Sequence, residues 1–155
     1  MIYRFVILLV LFTFGISTAD AVNMKNAIWN SYGVSFKMPA DIKIEEDSEE
    51  SFVASSPVYY IEVQILDNKG VSLRELGKDL SHIAEEDGLT GQEEIDKFEL
   101  SQFQGVKIAG KCDDERLMYS YLMAKDKSCA FFISISYVTE GDIITANILE
   151  SFKME

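Results

Sequence analysis

Between Phe103 and Tyr137 the chain reads FQGVKIAGKCDDERLMYSYLMAKDKSCAFFISISY, three apolar runs of strand length parted by two short polar clusters. Connections this short join strands that run in opposite directions, so the stretch predicts an antiparallel meander. In the first run Val106, Ile108, Gly110 and Cys112 share one face, with Lys107, Ala109 and Lys111 on the other. The middle run carries Leu117, Tyr119, Tyr121 and Met123 on one side but Met118, Leu122 and Ala124 on the other. A strand apolar on both faces is covered on both faces, so layers are expected above and below it. The third run sets Phe131, Ile133, Ile135 and Tyr137 against Ala130, Phe132, Ser134 and Ser136, a set with small members that would let a helix approach closely.

The remaining segments read as material packed against this sheet. Asn23 to Asn30 carries Trp29 and little periodicity, a lead-in segment. Tyr32 to Pro39 alternates Val34, Phe36 and Met38 with Ser35 and Lys37, and Pro39 stops the strand. The run Glu45 to Glu50 reads as a solvated loop, its functional alternative being a cation or basic-partner site. Ser51 to Ser56 is a short strand, and Val58 to Leu66 a longer one with Tyr59, Ile61, Val63 and Ile65 on one face. Asp67 to Gly70 is turn chemistry that lacks the later ligands of a calcium loop.

Ser72-Leu-Arg-Glu75 is a capping box opening a helix to Asp87, with Leu73, Leu76, Leu80, Ile83 and Ala84 on one stripe and Gly88 placed to end it. His82, the single histidine, lies opposite that stripe and is expected in solvent. Glu93 to Leu100 is a further strand. After a Thr139 cap, a last helix from Gly141 to Phe152 turns Ile144, Ile148, Ser151 and Phe152 to the sheet, with Ile143 and Asn147 at its margin. The expected fold class is therefore α+β: an antiparallel sheet with a C-terminal three-stranded meander, packed by two main helices.

The first residues are set apart. Met1 to Arg4 starts positive, Phe5 to Ile16 is almost wholly apolar, and Ala19-Asp20-Ala21 offers the small residues of a cleavage site. The run is shorter than the roughly 20 residues a spanning helix needs, so residues 1–21 are expected to be a signal peptide cleaved after Ala21. Residues 22–155 are then a single α+β domain, exported to the periplasm or the medium, with no stable membrane insertion. Cleavage takes one basic and one acidic residue, Arg4 and Asp20, from totals of 14 and 26, so the net charge stays at −12. Such a surface repels phosphate backbones and anionic lipid, which argues against nucleic acid and headgroups as partners.

Export favours a disulfide between Cys112 and Cys129. Meander geometry opposes it, because the two stand at opposite ends of the middle strand, about 26 Å apart at ~3.3 Å per residue. A bridge tolerates roughly 7 Å between Cα atoms, so free thiols are expected.

Several stretches resemble the PsbP-like and DcrB-like superfamily of small exported or lumenal domains: YGVSFKMP at Tyr32 to Pro39, VSLREL at Val71 to Leu76, FQGVKIAG at Phe103 to Gly110, the YSYLM strand, and ILESFK at Ile148 to Lys153. That resemblance implies an α/β/α sandwich that acts as a binding or assembly accessory without catalytic residues.

No reaction is dictated by the residues. A serine triad needs His82 turned inward and a G-x-S-x-G elbow, which is missing. A Cys₂His zinc site needs both separated thiols. No glycine-rich phosphate loop precedes a helix. No enzyme activity, metal or cofactor is expected. The leading expectation is an exported accessory domain that binds a protein through exposed aromatics such as Tyr60, Tyr119 or Tyr121 in an acidic surround, with ordinary sheet packing as the favoured alternative for each ring. The alternative is a carrier of small apolar ligands, with a pocket of at least ~300 Å³ between the sheet and helix 73–87.

Overall fold

The computed structural model describes residues 22–67, 70–138 and 142–155. In chain order they form β1 (Met24–Trp29), β2 (Val34–Pro39), β3 (Lys43–Asp47), β4 (Ser51–Ser55), β5 (Tyr59–Ile65), α1 (Leu73–Glu86), β6 (Asp96–Glu99), β7 (Phe103–Cys112), β8 (Glu115–Ala124), β9 (Ala130–Tyr137), α2 (Asp142–Glu150) and β10 (Lys153–Met154). The class is α+β, with two helices and antiparallel sheets, as the alternation and the capping box predict. The expected signal peptide, the Thr139 cap and part of the Asp67 to Gly70 turn lie outside the described residues. Among the described residues no helix is long and apolar enough to cross a membrane.

Seven strands make the main sheet, in the order β3-β4-β5-β9-β8-β7-β6. The meander sits within it in the expected register: Tyr121 of β8 opposes Val106 of β7 and Phe132 of β9. Alternation along these strands divides the core in two. Val106, Ile108, Tyr119 and Tyr121 face α1, which buries Leu76, Leu80 and Ala84 against them. Phe103, Met118, Leu122, Phe131, Ile133 and Ile135 face the opposite layer. The helix is anchored as its sequence predicts: Ser72 and Glu75 complete the reciprocal capping box, and Gly88 takes φ +70° just beyond the C-terminus.

The opposite layer holds what the periodicity concealed. β2 pairs with β1 on one side and with β10 on the other, making a second, three-stranded sheet. Asn23 to Asn30 is thus no lead-in. Its alternation buries Ala27 and Trp29, but Ala27 is a weak signal and Ile28, an apolar residue, points outward at 46% exposure. Trp29 packs on Phe131 and Phe36 on Phe52, so the small sheet lies across β9 and β4. α2 shares this layer: Phe152, just beyond it, stacks on Phe36 at 4.5 Å, and Ile148 and Leu149 are buried. The buried side of α2 is Thr145, Ile148 and Leu149, while Ile143 is 76% exposed rather than marginal.

Two further expectations are corrected. The acidic run is not all loop, because Lys43–Asp47 is the edge strand β3, paired with β4 through a bulge between Ile44 and Glu46. Exposed carboxylates and a bulge are the devices that keep an edge from recruiting another strand. The serine-lined face of β9 also receives no helix: α1 crosses β7 and β8 instead.

Candidate functional site

Because α1 covers only the β7 and β8 half of its sheet face, the other half, on β9, β5, β4 and β3, is left open among the described residues. Cross-strand register defines this surface. Tyr60 of β5 lies between Ser55 and Ser136, Glu62 between Val53 and Ser134, and Gln64 between Ser51 and Phe132. Small neighbours let the Tyr60 ring stand clear, 38% exposed. Its hydroxyl donates to Glu62 Oε2 at 3.4 Å, and Gln64 Nε2 donates to Glu62 Oε1 at 2.6 Å. The edge strand adds Glu45, which accepts from the Ser55 hydroxyl, and Glu46, which accepts from Ser48 and Ser51 at 2.6 and 2.7 Å. Those two serine hydroxyls hold the Glu46 carboxyl below its ordinary range. Burial first, then the negative charge of Glu62, Glu45 and Glu46, holds the Tyr60 phenol above its own.

Tyr119 and Tyr121 do not join Tyr60 on the surface; ordinary sheet packing, the alternative for each ring, holds for both. They are 7% and 6% exposed, sealed beneath α1, because the helix crosses β8 and buries that face. Each hydroxyl reaches the helix: Tyr119 donates to Asp87 Oδ2 at 2.6 Å and Tyr121 to Asp79. Desolvation, with the adjacent carboxylate adding to it, pushes both phenols well above the usual tyrosine range. Phe132 closes the line between the covered and open halves, 5.7 Å from Tyr119 and 5.3 Å from Tyr121 between ring centroids. Of the three tyrosines, two fasten the helix and one is left on the surface.

The remaining reactive side chains are dispersed. His82 is exposed on α1 and pairs with Glu86 at 3.3 Å. Cys112 pairs across the strand with Glu115 at one end of β8, while Cys129 precedes the Ala130 and Met123 pair at the other. Both thiols are free, and burial pushes that of Cys129 up. The interface between α1 and the sheet is filled by Leu76, Leu80, Ala84, Tyr119 and Tyr121. A recess of about 220 Å³ at the start of α1 is lined by Ser72, Leu73, Gln104, Met123 and Cys129 rather than by the aromatics. Another, of about 190 Å³, lies between α2 and β7, with Glu93, Glu94, Asp96 and Lys107 at its rim.

Two antiparallel sheets with one helix over an open-ended face define the class of protein, and comparison with known proteins gives it a family. The model of the dihydro-orotase-like family matches residues 18–141, most of the chain, and the protein belongs to that family. Solved structures of similar fold include the Ran-binding protein Mog1p of Saccharomyces cerevisiae, with a TM-score of 0.60 and 11% identity over 86% of this chain and 96% of that one. A mutant form of Mog1 gives 0.59 and 12% over 85% and 96%. A Bacteroides thetaiotaomicron protein gives 0.51 and 14% over 84% of this chain and 48% of that one. At these identities the likeness is one of fold. A sequence search of curated proteins finds no match.

These findings overturn the assignment to the PsbP-like and DcrB-like superfamily. The motifs behind it were short: an alternating strand stopped by proline, a capped helix and an aromatic strand, which any two-layer α+β domain requires.

Proposed function

We propose that the protein is an exported, non-enzymatic accessory domain that binds another protein through the open half of its main sheet. The observation that carries this reading is the uncovered face around Tyr60, an aromatic ring standing among carboxylates where a covering helix would otherwise lie. Mog1p, similar in fold, is described as a Ran-binding protein, which favours protein binding as a use of this architecture without passing Ran itself to this chain. The export reading rests on the leader pattern of residues 1–21.

The family label carries an enzyme's name, and the side chains do not fit a hydrolase of that kind. Opening a cyclic amide needs an activated water, held by a metal or a positioned base. The one histidine of the sequence is exposed on a helix. No three metal-ligating residues converge among the described residues. The alternative of an apolar-ligand carrier needs room between the sheet and α1, where side chains already pack.

The test is site-directed photocrosslinking in cells of the source organism, with benzoylphenylalanine in place of Tyr60 and, as a control, in place of Lys97. A discrete adduct with one recurring polypeptide is expected from position 60 alone. Absence of any polypeptide adduct there, together with a lipid or metabolite retained through purification, would refute protein binding.

A further inference from the structure

We propose that the open half-sheet is a docking surface for a basic protein segment, an extended or helical stretch bearing arginine or lysine that seats a cation over Tyr60. This rests on the protein-binding reading and names the chemistry of the partner. Three features carry it. First, the face is unpartnered among the described residues: α1 stops at β8, and the serines of β4 and β9 keep the surface low beside the ring.

Second, Glu62 accepts from the Tyr60 hydroxyl, Glu45 accepts from Ser55, the cross-strand partner of Tyr60, and Glu46 pairs with Val53, the cross-strand partner of Glu62, so three negative charges gather beside one phenol. None of them takes part in an ion pair among the described residues. Lys43, the one cation of β3, stands at the start of that strand opposite Ser55 and is exposed. An arginine here would meet a π-face and carboxylates together, the combination guanidinium groups suit best.

Third, the acids are spread along two strands, Glu45 and Glu46 accepting from serine hydroxyls and Glu62 from Tyr60 and Gln64, and they do not converge as a metal site would. The match is to charges spaced along a chain rather than to one ion.

The probe is a fluorescein-labelled peptide of alternating arginine and serine, read by anisotropy against the purified protein, with a glutamate-for-arginine peptide as its counterpart. The arginine peptide is expected to bind and the glutamate peptide to stay free. A Glu45→Gln, Glu46→Gln, Glu62→Gln triple variant is expected to weaken binding about tenfold, since each exposed pair contributes a small term. Removing the same charge elsewhere, at Glu85, Glu115 and Glu150, all exposed, is expected to change it by less than about twofold. Tyr60→Ala leaves the charge alone and is expected to weaken binding about threefold.

Circular dichroism melts check that every variant is folded. Equal losses from the two triples would mean attraction to the net charge at large and would overturn the proposal, as would an unaffected Tyr60→Ala. If the peptide is indifferent to these changes while position 60 still crosslinks to a polypeptide, the basic partner fails and protein binding stands.

Discussion

At the scale of single residues, the two tyrosine–carboxylate bonds beneath α1 have the clearest measurable consequence. Tyr119→Phe and Tyr121→Phe each remove one hydroxyl from a charged acceptor, and each is expected to destabilise by about 1 kcal/mol in urea unfolding, allowing for the partial exposure of the carboxylates. Both phenols hold their protons more tightly folded than unfolded. Their contribution is therefore complete below the ordinary tyrosine pKa of about 10 and is lost as pH rises above it. Stability should fall steeply from pH ~10 upward in the native protein, and the double phenylalanine variant should flatten that limb. A second residue-scale constraint is Gly105, where an added Cβ would sit 2.5 Å from Tyr121 O and 2.6 Å from Phe98 Cζ. Backbone on one side and a ring on the other leave it nowhere to go, so Gly105→Ala should cost about 2 kcal/mol by the same measurement. Neither constraint was legible beforehand. Alternation placed Tyr119 and Tyr121 on one face of a strand, but not which element crosses it.

Among the elements, α1 was the most legible, because a capping box, a 3.6-residue stripe and a terminal glycine are local signals that agree. Ser72→Ala removes the side-chain half of the reciprocal cap at its start, leaving Glu75 on the backbone amide of residue 72, and should cost about 1 kcal/mol, with loss of helical ellipticity preceding the main unfolding transition. The meander was equally clear, since ten-residue strands joined by short polar clusters admit few pairings. β1 and β3 were missed for opposite reasons. β1 turns Ile28 outward and an alanine inward, which blurs its period. β3 has all five residues exposed and so shows no hydrophobic period at all, being a strand only by virtue of its bonds to β4.

On the scale of the whole molecule, the single tryptophan joins the two sheets. Trp29 is buried against Phe131, and its indole nitrogen donates to Ser48 O at 2.6 Å in the turn between β3 and β4. Its fluorescence should be blue-shifted in the folded protein and move to the red in one step with the loss of sheet ellipticity, reporting both layers at once. A net charge of −12 on 155 residues is self-repelling, so raising NaCl from a few millimolar to about 0.3 M should raise the melting temperature by screening. What the amino-acid order determined by itself is whatever depends on neighbours a few positions away: the strand and helix periods, the helix cap, the facing of His82 and the separation of the two thiols. Only the tertiary structure decided that β2 leaves the main sheet to pair with β1 and β10, and that α1 covers one half of a face while the other stays open. Those outcomes depend on which distant surfaces bury each other best, a competition between segments that no local pattern encodes. The candidate site exists because of where that competition left the sheet uncovered.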